Sequence, residues 1–395
     1  MQRALMCELW SRYRCLFFSA GIAWFVIGMG LVPRNKNYQQ LYLVLVVLPF
    51  FIDILLGQVV VAFFTSRKVL YFFAIFALVV FPAFYTGGLH QGWQTLKRTI
   101  FILAFLYGFF VLGGKEFSYI RRVVLLAYWV GGVIALVSIL NFYFIENNSF
   151  YSRLLGLGVL DDPIMGAYAV SVMLIGGWCL SDYSLTIPRA VLFYCSGFSM
   201  FCYVTMTQSR GAFFALLIVF FMRFLFRFGR KERLASCVFG ILFVLVIALF
   251  YPFIIERGVS FRPDIAAQAL SMIGDHPWFG IGGDYKIYVP RLGMEFAHAH
   301  NMLLHIAIVC GLIVLVVWLA VWVNIFKVAW CFRRESFAGY VLAVWLYSTI
   351  AMQFDGARFI DTPRPEWLIS WWVAGLYLSL LANISKSRSS CPDSR

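Results

Sequence analysis

Apolar residues run along this chain in stretches of about 17 to 25, separated by short polar intervals and by one long one. Such a stretch is long enough to cross the hydrocarbon core of a bilayer, and in lipid a segment must satisfy its own backbone, so each predicts a helix. Twelve are read, at 15–32, 41–64, 69–85, 96–113, 123–145, 165–181, 190–206, 211–226, 234–254, 302–326, 337–353 and 366–383. The expectation is an all-α polytopic membrane protein of about twelve transmembrane helices. Residues 1–254 carry spans one to nine, 255–301 form one large loop bearing short helices, 302–383 carry spans ten to twelve, and 384–395 form a tail. The narrowest break is Thr207 to Arg210. Without it 190–226 would be one helix of 37 residues with Arg210 near its middle, which lipid disfavours, so a hairpin is expected.

Composition agrees: with 62% hydrophobic and 13% charged residues over 395 positions, the chain has too little polar surface for a soluble globule. The net charge of +14 would by itself suggest a nucleic-acid partner. The spans give it another origin, because inward-facing loops collect Lys and Arg. Both termini and the even-numbered loops hold 20 of the 32 basic residues but only six of the 18 acids. Both termini are therefore expected in the cytoplasm and the large loop outside, with no nucleic acid bound. Arg12 and Arg14 ahead of the first run resemble a signal peptide; no small-residue cleavage site follows, and an uncleaved first helix is expected. The nine cysteines show no CxxC or metal-ligand spacing and read as packing residues.

Candidate chemistry concentrates in the polar interval Glu256 to Asn301, in or just beyond which fall four of the five histidines. Ser260-Phe261-Arg262-Pro263-Asp264 reads as a helix start with its cap at Ser260 or Phe261, and the helix should end near Gly274. Arg262 at that N-terminus would suit an anion, phosphate above all. In His276-Pro277-Trp278-Phe279-Gly280-Ile281-Gly282-Gly283-Asp284 the glycines allow tight turns beside aromatics suited to a membrane interface. No strand precedes and no lysine follows at Walker spacing, which argues against a nucleotide loop. His298 and His300 with His305 five residues on could ligate a metal, but Asp284 and Glu295 have no diagnostic spacing. One histidine acting as general base is favoured over a metal. Arg210, in Thr207-Gln208-Ser209-Arg210-Gly211-Ala212, either serves an anion or snorkels to the headgroups. Asp53 reads as an ion-pair partner or a proton relay. Asp161-Asp162-Pro163 is a rival constellation, holding a cation, acting as base, or simply turning into the sixth span.

Ser209-Arg210-Gly211-Ala212, Arg262 before a short amphipathic helix, His276 to Gly282, and His300-Asn301 with Gly311 downstream together resemble the O-antigen ligase and O-antigen polymerase superfamily of bacterial inner-membrane glycosyltransferases. The likeness covers about 205–312. It implies a GT-C-like helix arrangement and an inverting, metal-independent transfer, without cofactor, from an undecaprenyl diphosphate-linked donor at the periplasmic face. In ligases the acceptor is a sugar of the lipid A core; in polymerases it is another carrier-linked repeat unit. Length and a single major loop favour the ligase. By this resemblance His300 is the general base and Arg210 and Arg262 stabilise the diphosphate. Substrate contacts fall to Asn301, Lys286, Arg291 and His298. A flippase for lipid-linked oligosaccharide is the alternative from another class, with Asp53 and Arg210 lining a path. Against it, the halves show no repeat and polar residues gather in one outer loop.

Overall fold

The computed structural model describes residues 2–56, 60–181, 186–226, 261–283 and 285–389. Its helices are α1 (Gln2–Leu31), α2 (Asn35–Leu56), α3 (Arg67–Tyr85), α4 (Gly87–Lys115), α5 (Phe117–Ile145), α6 (Pro163–Leu180), α7 (Ile187–Met206), α8 (Arg210–Phe226), α9 (Arg262–Asp275), α10 (Met302–Cys331), α11 (Ser336–Phe354) and α12 (Trp371–Ser389). Among the described residues nine helices are long and apolar enough to cross a bilayer, and shorter apolar ones cover Arg210–Met222 and Trp371–Ile384. The chain is thus a nearly all-helical polytopic membrane protein. Eleven of the twelve expected spans have a helical counterpart. The twelfth, 234–254, lies outside the described residues, as do the loop boundary at 254/255, the basic residues Arg227 to Arg233, Ser260 and Asp284.

Two departures have local causes. The last span does not begin at 366: Pro365–Ile369 is a 3-10 turn, Ser370 leaves helical geometry (φ −129°, ψ −81°), and α12 starts at Trp371. Inside the large loop an antiparallel hairpin pairs β1 (Ile287–Val289) with β2 (Met294–Phe296), Tyr288 opposite Glu295, around a turn whose Gly293 has φ 62°. Strands of three residues are too short for an alternating pattern to announce them.

Close approach and aromatic filling hold the helices together. Gly113 on α4 lies so near Ser379 on α12 that a Cβ there would sit 2.4 Å from backbone, and Ser379 Oγ donates to Phe109 O at 2.6 Å. Phe25, Phe105, Trp367 and Trp372 form a ring cluster beside this contact, and Trp372 Nε1 donates to the Tyr340 hydroxyl. Asp53 is fully buried and accepts from Trp10 Nε1 and, at 2.6 Å, from the Tyr107 hydroxyl. Both bonds make it an interior anchor.

One helix is discontinuous, and the break positions the site. At Gly311 (φ 84°, ψ 169°) α10 leaves helical geometry, and the segment Pro277 to Gly282 docks into the gap. Ile281 N–H donates to Ile308 O at 2.8 Å, Gly282 N–H to Val309 O at 3.2 Å, and Leu312 N–H to Pro277 O at 2.7 Å. Backbone groups freed by the break are thereby paired within protein, the condition under which irregular chain is tolerated at membrane depth. Gly280 is required for the same contact: its φ is 69°, and a Cβ would fall 2.4 Å from Ile308 O.

Candidate active site

The turn His298-Ala299-His300 leads directly into α10, whose N-cap is Asn301; its Oδ1 accepts from Leu303 N–H at 2.9 Å and Leu304 N–H at 3.1 Å. Asn301 Nδ2 donates to Gln353 Oε1 at 3.1 Å, which ties this turn to the end of α11. Immediately beyond that end stands Asp355, 4% exposed. Its Oδ1 meets His298 Nε2 at 3.3 Å and accepts from Gly356 N–H at 2.8 Å, while its Oδ2 meets His300 Nδ1 at 3.4 Å. Burial alone would raise the carboxyl; the hydrogen bonds and charge of the two imidazoles outweigh it and hold it well below the usual carboxylate range. The carboxylate orients both rings, an arrangement in which an acidic group can position an imidazole.

The pairing carries a stability signature. A carboxyl depressed in the folded state contributes fully above its unfolded pKa of about 4, and that contribution is lost as pH falls through the lower folded value. Asp355→Asn is expected to lower the melting temperature of the purified protein at pH 7, each charge-assisted hydrogen bond being worth about 1.5–3 kcal/mol. The gap between wild type and variant should be no smaller at pH 5 than at pH 7. A gap that shrinks over that interval would show that the carboxylate is not held this way.

Phe354, next to Asp355, lies between Arg262 and the start of α8. The Arg262 guanidinium lies 5.9 Å from its ring centroid, and a Cβ on Gly211 would sit 2.4 Å from Phe354 Cβ, so the start of α8 with Arg210 abuts the same corner. Arg262 opens α9, with Phe261 at the cap and Pro263 in the first turn; Ile265, Ala269 and Ile273 are its buried face. The four non-glycine residues with left-handed backbone among the described ones are Asn147, Gln208, His300 and Arg358. Gln208 stands just before Ser209-Arg210, and His300 belongs to the pair above. Such strain, of order 1–3 kcal/mol per residue, gathers where surrounding structure enforces a functional geometry.

The other sequence candidates are placed as follows. His305 is buried in the first turn of α10: Arg358 N–H donates to its Nε2 and its Nδ1 meets the Tyr285 hydroxyl, both at 2.9 Å, so neither nitrogen is left to join His298 and His300 at a metal. Lys286 pairs with Glu295 at 2.7 Å and Arg291 with Asp264 at 3.1 Å, both on the exposed hairpin. A substrate role for either would first break these local pairs. Asp162 is the N-cap of α6, its Oδ1 accepting from Ile164 and Met165 N–H at 2.8 Å, ahead of Pro163. Among the described residues one donor set for a divalent cation does exist: ligand atoms of His298, His300 and Asp355 lie within 4.8 Å of one another. The sequence reading missed Asp355. Its only signal is a carboxylate directly after a span, and nothing local pairs it with a histidine 55 positions earlier.

This is the site of a multi-pass membrane protein that brings a histidine–carboxylate cluster, Arg262 and the start of α8 to one corner. Residues 195–319 match the family described as O-antigen ligase. Along 367 residues, 89% of this chain and 88% of the other, the chain is 27% identical to an O-antigen ligase of Pseudomonas aeruginosa. The resemblance to the O-antigen ligase and polymerase superfamily, drawn above from four short motifs, is borne out.

Proposed function

We propose that this protein is an inverting glycosyltransferase that moves O-antigen polysaccharide from undecaprenyl diphosphate to a sugar of the lipid A core, at the periplasmic face of a bacterial inner membrane with both termini in the cytoplasm. The matches support a ligase or transferase role in O-antigen and lipopolysaccharide assembly. The observation that carries the finer reading is the convergence of His300, Asp355, Arg262 and the start of α8 around Phe354. Cleaving the bond from anomeric carbon to diphosphate develops negative charge on the leaving group, and guanidinium groups hold phosphate oxygens in a bidentate fork. In this reading Arg210 and Arg262 bind that diphosphate. His300, oriented by Asp355, takes the proton of the attacking acceptor hydroxyl as it reaches the opposite face of the sugar. The diphosphate ester supplies the driving force.

The test is reconstitution of full-length protein with carrier-linked glycan and lipid A core, the product resolved by gel. Arg210→Lys and Arg262→Lys are expected to lower turnover at least about tenfold although charge is retained, because the fork is lost. A chelator should leave the rate unchanged. Loss of activity to chelator with recovery on a divalent ion would instead assign His298, His300 and Asp355 to a metal. The lipid-linked pool in cells separates the alternatives: loss of a ligase leaves polymer on the carrier, loss of a polymerase leaves a single unit on the lipid A core, and loss of a flippase leaves single units inside.

A further inference from the structure

A cavity of about 410 Å³ opens beside the histidine pair and is used by none of the chemistry above. Its polar lining includes Gln91, Gln94 and Arg98 of α4, Arg358, Asp361 and Arg364 of the segment between α11 and α12, and His298. Neither His300, Arg210 nor Arg262 lines it. Leu78 and Val79 of α3 make an apolar side, so its charges are only partly in contact with water.

The charges do not balance. Asp361 holds two guanidinium groups, Arg98 Nε at 3.4 Å from Oδ1 and Arg364 Nε at 3.1 Å from Oδ2, but neutralises only one. Arg358 makes no ion pair with a carboxylate among the described residues. Its backbone is held at φ 58° by the hydrogen bond from its N–H to His305 Nε2, which fixes where the side chain departs. Against these three guanidinium groups stand Asp361 and the buried Glu366, whose carboxyl burial pushes up to about 7 although Arg358 lowers it; the balance stays positive beside an apolar wall, an arrangement that is costly unless an anion completes it. A phosphomonoester carries about −1.5 to −2 at neutral pH and offers several oxygens to guanidinium groups, so it fits this site better than a single carboxylate does.

We propose that this cavity is a subsite for a phosphate-bearing sugar of the acceptor, with Arg358, Arg98 and Arg364 holding the phosphate. The inference rests on the reading that Arg210 and Arg262 take the donor diphosphate. Asp355 connects the two places: one oxygen meets His298, which lines the cavity, and the other meets His300. An acceptor anchored by its phosphate therefore lies one carboxylate away from the base that deprotonates it.

The experiment measures transfer by the full-length protein to lipid A core, either intact or treated with phosphatase. Arg358→Gln should raise the KM for intact acceptor about tenfold or more, with donor KM and kcat close to wild type, by removal of a charge-assisted phosphate contact. Wild type on treated acceptor should show the same loss, and Arg358→Gln should add nothing to it. Arg98→Gln, on a different helix, carries the same expectation and serves if Arg358→Gln does not fold. A rise in donor KM instead, an equal loss on both acceptors, or no change in either variant overturns the subsite. Failure of the underlying reading would appear elsewhere, as full activity in His300→Ala or Arg210→Lys on intact acceptor.

Discussion

Replacing His300 by alanine is expected to reduce transfer by about 10²–10⁴-fold, the usual contribution of a positioned general base, while the carrier-linked donor still binds. The expectation follows from geometry, because His300 Nδ1 meets Asp355 and Nε2 is then the nitrogen that can take a proton. One complication is the backbone, which at φ 49° suits few side chains. Asparagine tolerates that conformation best among non-glycine residues, so His300→Asn removes the base without adding strain. Both variants should lose turnover and keep donor affinity. Full activity in His300→Asn, measured in the reconstituted assay, would remove His300 from the chemistry whatever the fate of the alanine variant.

The second large effect is expected far from any reacting atom. In Gly311→Ala the new methyl would lie 2.0 Å from Trp278 O, at a φ of 84° and ψ of 169° that is essentially reserved for glycine. The conformational cost alone is about 1–3 kcal/mol. The overlap adds to it, since a backbone oxygen cannot rotate away. We expect Pro277 to Gly282 to be expelled from the break in α10, a melting temperature lowered by several degrees, and transfer lost because the turn His298 to Asn301 leads into the same short helical piece. Gly274→Ala is the control, as a Cβ there meets no atom within 4 Å and alanine favours a helix. If thermal unfolding in detergent shows Gly311→Ala and Gly274→Ala to be equally stable, the docked loop does not depend on that glycine.

What could be read from the chain divides along the range of the interaction. Spans were legible because membrane thickness acts on each apolar run by itself, and eleven of them have helical counterparts. The helix at Arg262 was legible because Pro263 and the apolar spacing after it are local signals. The break at Gly311 was not legible as a break, since one glycine among strongly apolar neighbours hardly changes a hydropathy window. Asp355, Arg358 and Asp361 were passed over because their meaning lies in partners on other helices: His298 and His300 for the first, His305 for the second, Arg98 for the third. Asn301 was read as a substrate contact, and its side chain is engaged as the cap of α10. Lys286 and Arg291 were read likewise, before the cross-hairpin and hairpin-to-helix partners were in view.

The interruption of α10 has a mechanical consequence. Residues 302–310 are fastened to Pro277–Gly282 by hydrogen bonds rather than continuing as one rigid rod with 312–331. The turn at His300, its cap Asn301 and the glycine-rich segment are therefore joined into one small unit, set apart from the remainder of α10. A displacement of that unit can thus be absorbed at Gly311, without repacking the aromatic interior around Trp367 and Trp372.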